Sequence, residues 1–184
     1  IRVGFTADMA ARNAQQTKAA AKAKGKEQLV DGDWPATERR FYEDTSQTEF
    51  EASVLHCTEI DANLLNLSSE VQGNPTHAII LDHTLFSPEG GGQLGDSGTL
   101  GDATVFDTHV EGDVILHLTD RPLSGAVKGE VSWERRKQLM DHHTSVHIIG
   151  GSARTLLGPH IWQDGSSQGE RYARLDVTHF TLPT

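Results

Sequence analysis

Val127-Lys-Gly-Glu-Val-Ser-Trp-Glu-Arg-Arg-Lys-Gln-Leu-Met-Asp-His-His-Thr-Ser-Val-His147 changes its hydrophobic period halfway along. Val127, Gly129, Val131 and Trp133 alternate with polar neighbours, as on a half-buried strand. From Ser132 onward, Leu139, His143, Val146, His147, Gly150, Ala153 and Leu157 follow helical spacing. Ser132 is placed to cap that helix, Glu134 lies in its favourable first turn, and Gly158-Pro159 supplies a terminator. Gly150 and Gly151 inside it cost about 1 kcal/mol each relative to Ala, so close packing on that face or a kink is expected. The stretch joins a region of strands to a long helix.

Upstream, period two runs from Phe41 to about Val131. Phe50, Ala52 and Val54 alternate with Glu49, Glu51 and Ser53, and Ala78 to Phe86 reads as one strand between Asn74-Pro75 and Ser87-Pro88. Thr104 to Val110 and Val114 to Leu118 flank Glu111-Gly112-Asp113 as a hairpin. Several short strands separated by turn residues predict a small β-barrel. Before it, Ala7 to Lys26 is rich in helix formers. Lys18, Lys22, Lys24 and Lys26 there form either a small RNA-facing basic patch or a solvated surface. Val30 to Arg40, with Trp34-Pro35, reads as an extended linker. The fold class is α+β: a helical tail and linker over 1–40, a β-barrel over 41–131, and the opening of a further α/β unit over 132–184.

Composition limits the function. The formal charge of −10 argues against broad nonspecific nucleic-acid binding, which needs clustered Lys and Arg, so any such contact is local. No segment approaches the roughly 18 apolar residues of a membrane span. The single Cys57 rules out an internal disulfide framework and fits a reducing cytoplasm. The chain begins at Ile1 and stops at Thr184 without a closing element, and it reads as a fragment of a longer protein.

Two constellations bear chemistry. His143 and His147 are four apart, which puts both imidazoles on one helix face within reach of a single metal ion. No Glu follows the first, so this is not the zinc-protease pattern, and surface or core histidines are the competing reading. His142 falls off that face and is a neighbour. Between strands lies Pro88-Glu-Gly-Gly-Gly-Gln93, followed by Gly95 and Gly98, without the Gly-Lys-Ser/Thr ending of a phosphate loop. Gly90, Gly91 and Gly92 either let a ligand or chain segment approach closely or serve a wide loop that needs positive φ. Arg135, Arg136 and Lys137 at the barrel-to-helix junction either contact an RNA end or form a solvated first turn.

Taken in order, Phe86-Ser-Pro-Glu-Gly-Gly-Gly-Gln-Leu-Gly-Asp-Ser-Gly98, Trp133-Glu-Arg-Arg136, Leu139-Met-Asp-His-His-Thr-Ser-Val-His147 and Leu157-Gly-Pro-His-Ile-Trp-Gln163 resemble alanyl-tRNA synthetases. Arg40-Phe-Tyr-Glu-Asp44, Thr48-Glu-Phe-Glu-Ala52 and Arg174-Leu-Asp-Val-Thr-His-Phe180 are similar to the archaeal branch. The resemblance implies the end of the aminoacylation region, a translation-factor-like barrel and the start of a zinc-dependent editing domain. It implies that His143 and His147 are two of four zinc ligands, with a Cys and a His expected beyond Thr184. Gln163 matches a glutamine of the editing pocket, and the resemblance makes Gln163 and Val146 the candidate catalytic positions. Val146 stands where the family often has Thr, so a hydroxyl contact to substrate is lost there. Gly90, Gly91, Gly92, Gln93, Arg135 and Arg136 become candidates for the acceptor end of tRNA(Ala).

For the full-length protein the resemblance implies ATP and magnesium, alanine ligation, hydrolysis of Ser-tRNA(Ala) and Gly-tRNA(Ala), a cytoplasmic location and a homodimer. The fragment alone is expected to be inactive and to bind zinc weakly. A freestanding editing hydrolase and a non-catalytic RNA-binding barrel are the rival readings.

Overall fold

The computed structural model describes residues 29–30, 32–62 and 67–179. The expected helix over Ala7 to Lys26, with its lysines, lies outside them. The described residues form an α+β structure: a closed barrel, one helix and a terminal hairpin.

The barrel strands are β2 (Glu49–Glu59), β3 (His77–Leu81), β5 (Gly98–Leu100), β6 (Ala103–Glu111), β7 (Val114–Thr119) and β8 (Ala126–Val131), closed in the order β2-β3-β7-β6-β5-β8. All of these pairings are antiparallel. On β8 the buried residues are Val127, Gly129 and Val131, the phase the sequence predicts. Trp133 does not continue that strand. It opens the helix and lies partly exposed, because the chain turns at Ser132.

The run expected as one strand from Ala78 to Phe86 is two. Asp82 breaks it: its carboxylate accepts from the backbone N–H of Ser53 and of His83, both at 2.9 Å. Beyond the break, β4 (His83–Thr84) leaves the barrel and pairs in parallel with β1 (Glu38–Arg39). A side chain that binds nearby backbone competes with the strand ladder, and here it turns a corner.

β3 is an unbroken apolar run because both its faces are covered. Ile79 and Leu81 join Phe50, Ala52, Phe86, Leu100, Val105, Val127 and Val131 inside the barrel. Ala78 and Ile80, with Val114, Leu116 and Leu118 of β7, face outward under Val30, Leu29 and Trp34. The expected linker is therefore a strap. Glu111 accepts from the backbone N–H groups of Leu29 (3.0 Å) and Val30 (3.1 Å), Trp34 stacks on His56, and the Thr37 hydroxyl accepts from Ile115 N–H.

α1 (Trp133–Leu157) leaves the barrel as one helix and ends at Gly158, whose N–H donates to Arg154 O. Ser132 occupies the capping position, but its side chain makes no capping hydrogen bond. Its carbonyl accepts from Arg136 N–H at 3.0 Å. β9 (Gln163–Gln168) and β10 (Ala173–Val177) form an antiparallel hairpin against α1.

Neither helix glycine answers to crowding. A Cβ at Gly150 would meet Leu175 at an ordinary 3.6 Å, and one at Gly151 would meet nothing within 4 Å. Gly151→Ala should therefore stabilise the chain by up to about 1 kcal/mol through helix propensity alone, read from the urea midpoint.

Among the buried polar side chains of the barrel, His117 is fully enclosed. His117 donates from Nδ1 to Ile79 O (3.0 Å) and accepts at Nε2 from the Thr84 hydroxyl (2.8 Å). Full burial lowers its pKa to about 4 from 6.5, so the folded chain keeps it neutral. The unfolded chain takes up that proton first as pH falls. Stability is then complete above pH 6.5 and drains away toward pH 4, by an amount on the order of 3 kcal/mol. His117→Gln should flatten the urea stability profile across that window.

Candidate functional site

The helix is fastened to the barrel by Arg136. Its guanidinium bonds Asp96 through Nε (3.1 Å) and Nη2 (2.5 Å). It also donates to the carbonyls of Thr45 (3.1 Å), Gln47 (3.2 Å) and Leu85. Both partners are almost wholly buried, with side-chain exposures of 4% and 1%. Asp96 in turn accepts from Ser87 N–H at 2.7 Å. Arg135 is buried as well, donating to Glu170 (2.9 Å) and to Gly95 O (3.3 Å). The solvated first turn is thus overturned for both residues. Both guanidinium groups are held by protein acceptors, Arg135 through its two terminal nitrogens and Arg136 through all three, so they tie the helix to its surroundings. Of the three junction cations only Lys137 is exposed, paired with Asp141.

Asp96 also fixes one end of the glycine loop. Gly90 and Gln93 exchange backbone hydrogen bonds of 3.0 and 2.9 Å across Gly91 and Gly92, whose φ values are +60° and +86°. Positive φ at both central positions is what a tight two-residue turn of this hand requires, so the wide loop of the sequence reading is in fact narrow. A side chain at Gly92 would also collide with the backbone of β9, its Cβ falling 2.5 Å from Ser166 O. The loop runs beside β9: Gln168 N–H donates to Gly92 O (2.7 Å) and Leu94 N–H to Gln168 O (3.1 Å). Of the alternatives for these glycines, the structure shows close approach by a chain segment and a need for positive φ together.

His143 and His147 lie where the spacing places them, on one face of α1, with ring centroids 5.0 Å apart and planes inclined by 24°. His143 is half-buried and His147 exposed. His143 Nδ1 lies 2.9 Å from Gln93 Oε1, and the bare Cα of Gly91 leaves His143 Cε1 room, 3.6 Å from where a Cβ would sit. His142 turns to the hairpin, its Nδ1 2.7 Å from Gly169 O. Val146 is buried and offers no polar atom.

Gln163 opens β9 and is exposed. Its amide donates to Ser166 Oγ (3.0 Å), which in turn lies 3.5 Å from Gly91 O. Gln163, the glycine loop and the histidine pair are therefore neighbours, linked through Ser166 and Gln93. Sequence reasoning missed Ser166, because its contact spans 75 residues and carries no local pattern. It also missed Glu70, which accepts from Glu170 N–H (2.7 Å) and Arg171 N–H (3.3 Å) and holds the hairpin turn from the barrel side. Among the described residues, no group of three or more His, Cys, Asp or Glu side chains comes together to hold a metal. The donor set of His143 and His147 fits two positions of a tetrahedral zinc ion, not four.

Residues 1–135 match the family of class II (A) tRNA synthetases. The alanine–tRNA ligase of Natronomonas pharaonis is 42% identical over 154 residues, covering 80% of this chain and 16% of that protein. The alanine–tRNA ligase of Hyperthermus butylicus is 42% identical over 158 residues, covering 82% and 15%. That of Ignicoccus hospitalis is 41% identical over 152 residues, covering 79% and 15%. The chain belongs to the class II (A) tRNA synthetase family, and it spans about one sixth of the length of these alanine–tRNA ligases.

Breaking the fastening should be costly. Arg136→Met leaves the buried Asp96 carboxylate without its cation and is expected to lose about 3–5 kcal/mol. Urea unfolding of the variant measures this, and a loss below 1 kcal/mol would contradict the central role given to the pair.

Proposed function

We propose that this chain is the barrel and the opening of the editing region of an archaeal-type alanine–tRNA ligase. The observation that carries the reading is the His143–His147 pair, set on one helix face and held against the glycine loop through Gln93. Family membership supports the ligase assignment, and archaeal relatives support the branch. In the full-length protein, alanine is joined to tRNA(Ala) with ATP and magnesium, and the protein works in the cytoplasm. None of the described helices is long and apolar enough to cross a membrane.

The need for a second site is physical. A pocket for alanine must admit the smaller glycine, and a small side-chain difference gives only about 1–3 kcal/mol of discrimination. Hydrolysis of Ser-tRNA(Ala) and Gly-tRNA(Ala) after transfer supplies the missing selectivity. His143 and His147 furnish two zinc ligands, and a Cys and a His from outside residues 1–184 furnish the others. Bound there, zinc would polarise an ester carbonyl or lower the pKa of water to about 7.

The chain's own residues do the placing. Gly91 presents no side chain toward His143, and Gly92 lets the loop close on β9. Gln163 and Ser166 offer a polar edge beside the loop, suited to a serine hydroxyl. Val146 packs, so no hydroxyl contact comes from that position.

The 184-residue chain, with two ligands, should take up zinc weakly and leave Ser-tRNA(Ala) intact. A longer chain that includes the missing ligands should hold one zinc and release serine from Ser-tRNA(Ala), and His143→Ala should abolish both. Tight stoichiometric zinc in the short chain, or an extended chain that never deacylates Ser-tRNA(Ala), would overturn the reading.

A further inference from the structure

We infer that Gln93 is a positioning residue: its side-chain carbonyl fixes the tautomer of His143, so that a loop of the barrel sets the direction of a ligand on α1. The inference rests on the reading of His143 and His147 as metal ligands and deepens it.

In neutral imidazole one ring nitrogen carries the proton and the other a lone pair, and the hydrogen bond made by one decides the role of the other. His143 Nδ1 is 2.9 Å from Gln93 Oε1. A carbonyl oxygen only accepts, so Nδ1 must donate and the proton sits there. Nε2 is then left with its lone pair, the form a metal requires. Outer partners of this kind orient ligating imidazoles, and losing one typically costs 10–100-fold in metal affinity.

The acceptor is held firmly. Gln93 is pinned on its backbone by the paired hydrogen bonds to Gly90, and its neighbours Gly92 and Leu94 are tied to Gln168. The side-chain oxygen of Gln93 thus faces the imidazole of His143. His147 stacks on His143, so the orientation of the first ring bears directly on the second.

The test is long-range 1H–15N correlation on the 184-residue chain carrying 15N-histidine, at about pH 8, with His143 identified by loss of its signals in His143→Gln. His143 should show the Nδ1–H form, the minor one in free histidine. Gln93→Ala should return it to Nε2–H, and Gln93→Glu, which keeps an acceptor, should retain Nδ1–H. Zinc alone, titrated onto the same samples, should bind at least about tenfold more weakly to Gln93→Ala than to the parent, with recovery in Gln93→Glu. An Nε2–H form in the parent chain, meaning that the amide turns its NH2 to the ring, would overturn the inference. So would a tautomer indifferent to Gln93→Ala. If the tautomers behave as expected but zinc moves neither His143 nor His147, the metal reading falls and the role of Gln93 in orienting the ring stands.

Discussion

A buried guanidinium and a buried carboxylate hold this molecule together. Removing both charges from water is expensive, and their attraction offsets that only when the remaining donors are also satisfied. Arg136 meets the condition by spreading its other donors over three backbone carbonyls from two separate barrel segments. Asp96 takes the Ser87 N–H and both guanidinium bonds on one oxygen, Oδ2, and its Oδ1 is buried without a hydrogen bond. The pair therefore joins β8's exit, the start of the glycine loop and the first turn of α1 at one point. From that point the helix axis is set, and with it the location of His143 two turns further on.

The same constraint explains why the loop can serve the helix. Asp96 fixes one end of residues 88–98, and the Gly90–Gln93 turn fixes the middle. With both held, Gln93 meets His143 in register, and Gly92 meets β9 at a distance no side chain would permit. The hairpin is clamped from three directions: by Glu70 of the barrel side, by Arg135 through Glu170, and by His142 at Gly169. Barrel, helix and hairpin are thus one packed assembly around the candidate site.

Much of this was legible in the sequence, and the remainder was hidden for definite reasons. Alternation on β2 and β8, the β6–β7 hairpin and the helix from Trp133 to Gly158 follow from local period, which needs no partner to be read. The break at Asp82 was missed because a carboxylate capping two backbone groups looks, in sequence, like any polar residue in a strand. Arg135 and Arg136 looked like surface cations because burial of an arginine depends on acceptors 35 or more residues away. The strap formed by residues 29–30 and 32–37 looked like a linker for a similar reason: its anchors, Glu111 and Ile115, lie about 80 residues on. The histidine pair and the glycine loop were visible separately, but their meeting through Gln93 was not.

The small terminal sheet has an asymmetry with architectural weight. At one margin the last residue of β9, Gln168, is paired with the backbone of Gly92 and Leu94. Among the described residues the other margin, along β10, has no strand beside it. The tie falls where β9 runs into its turn, so any shift of Gln168 is passed directly to the loop that carries Gln93.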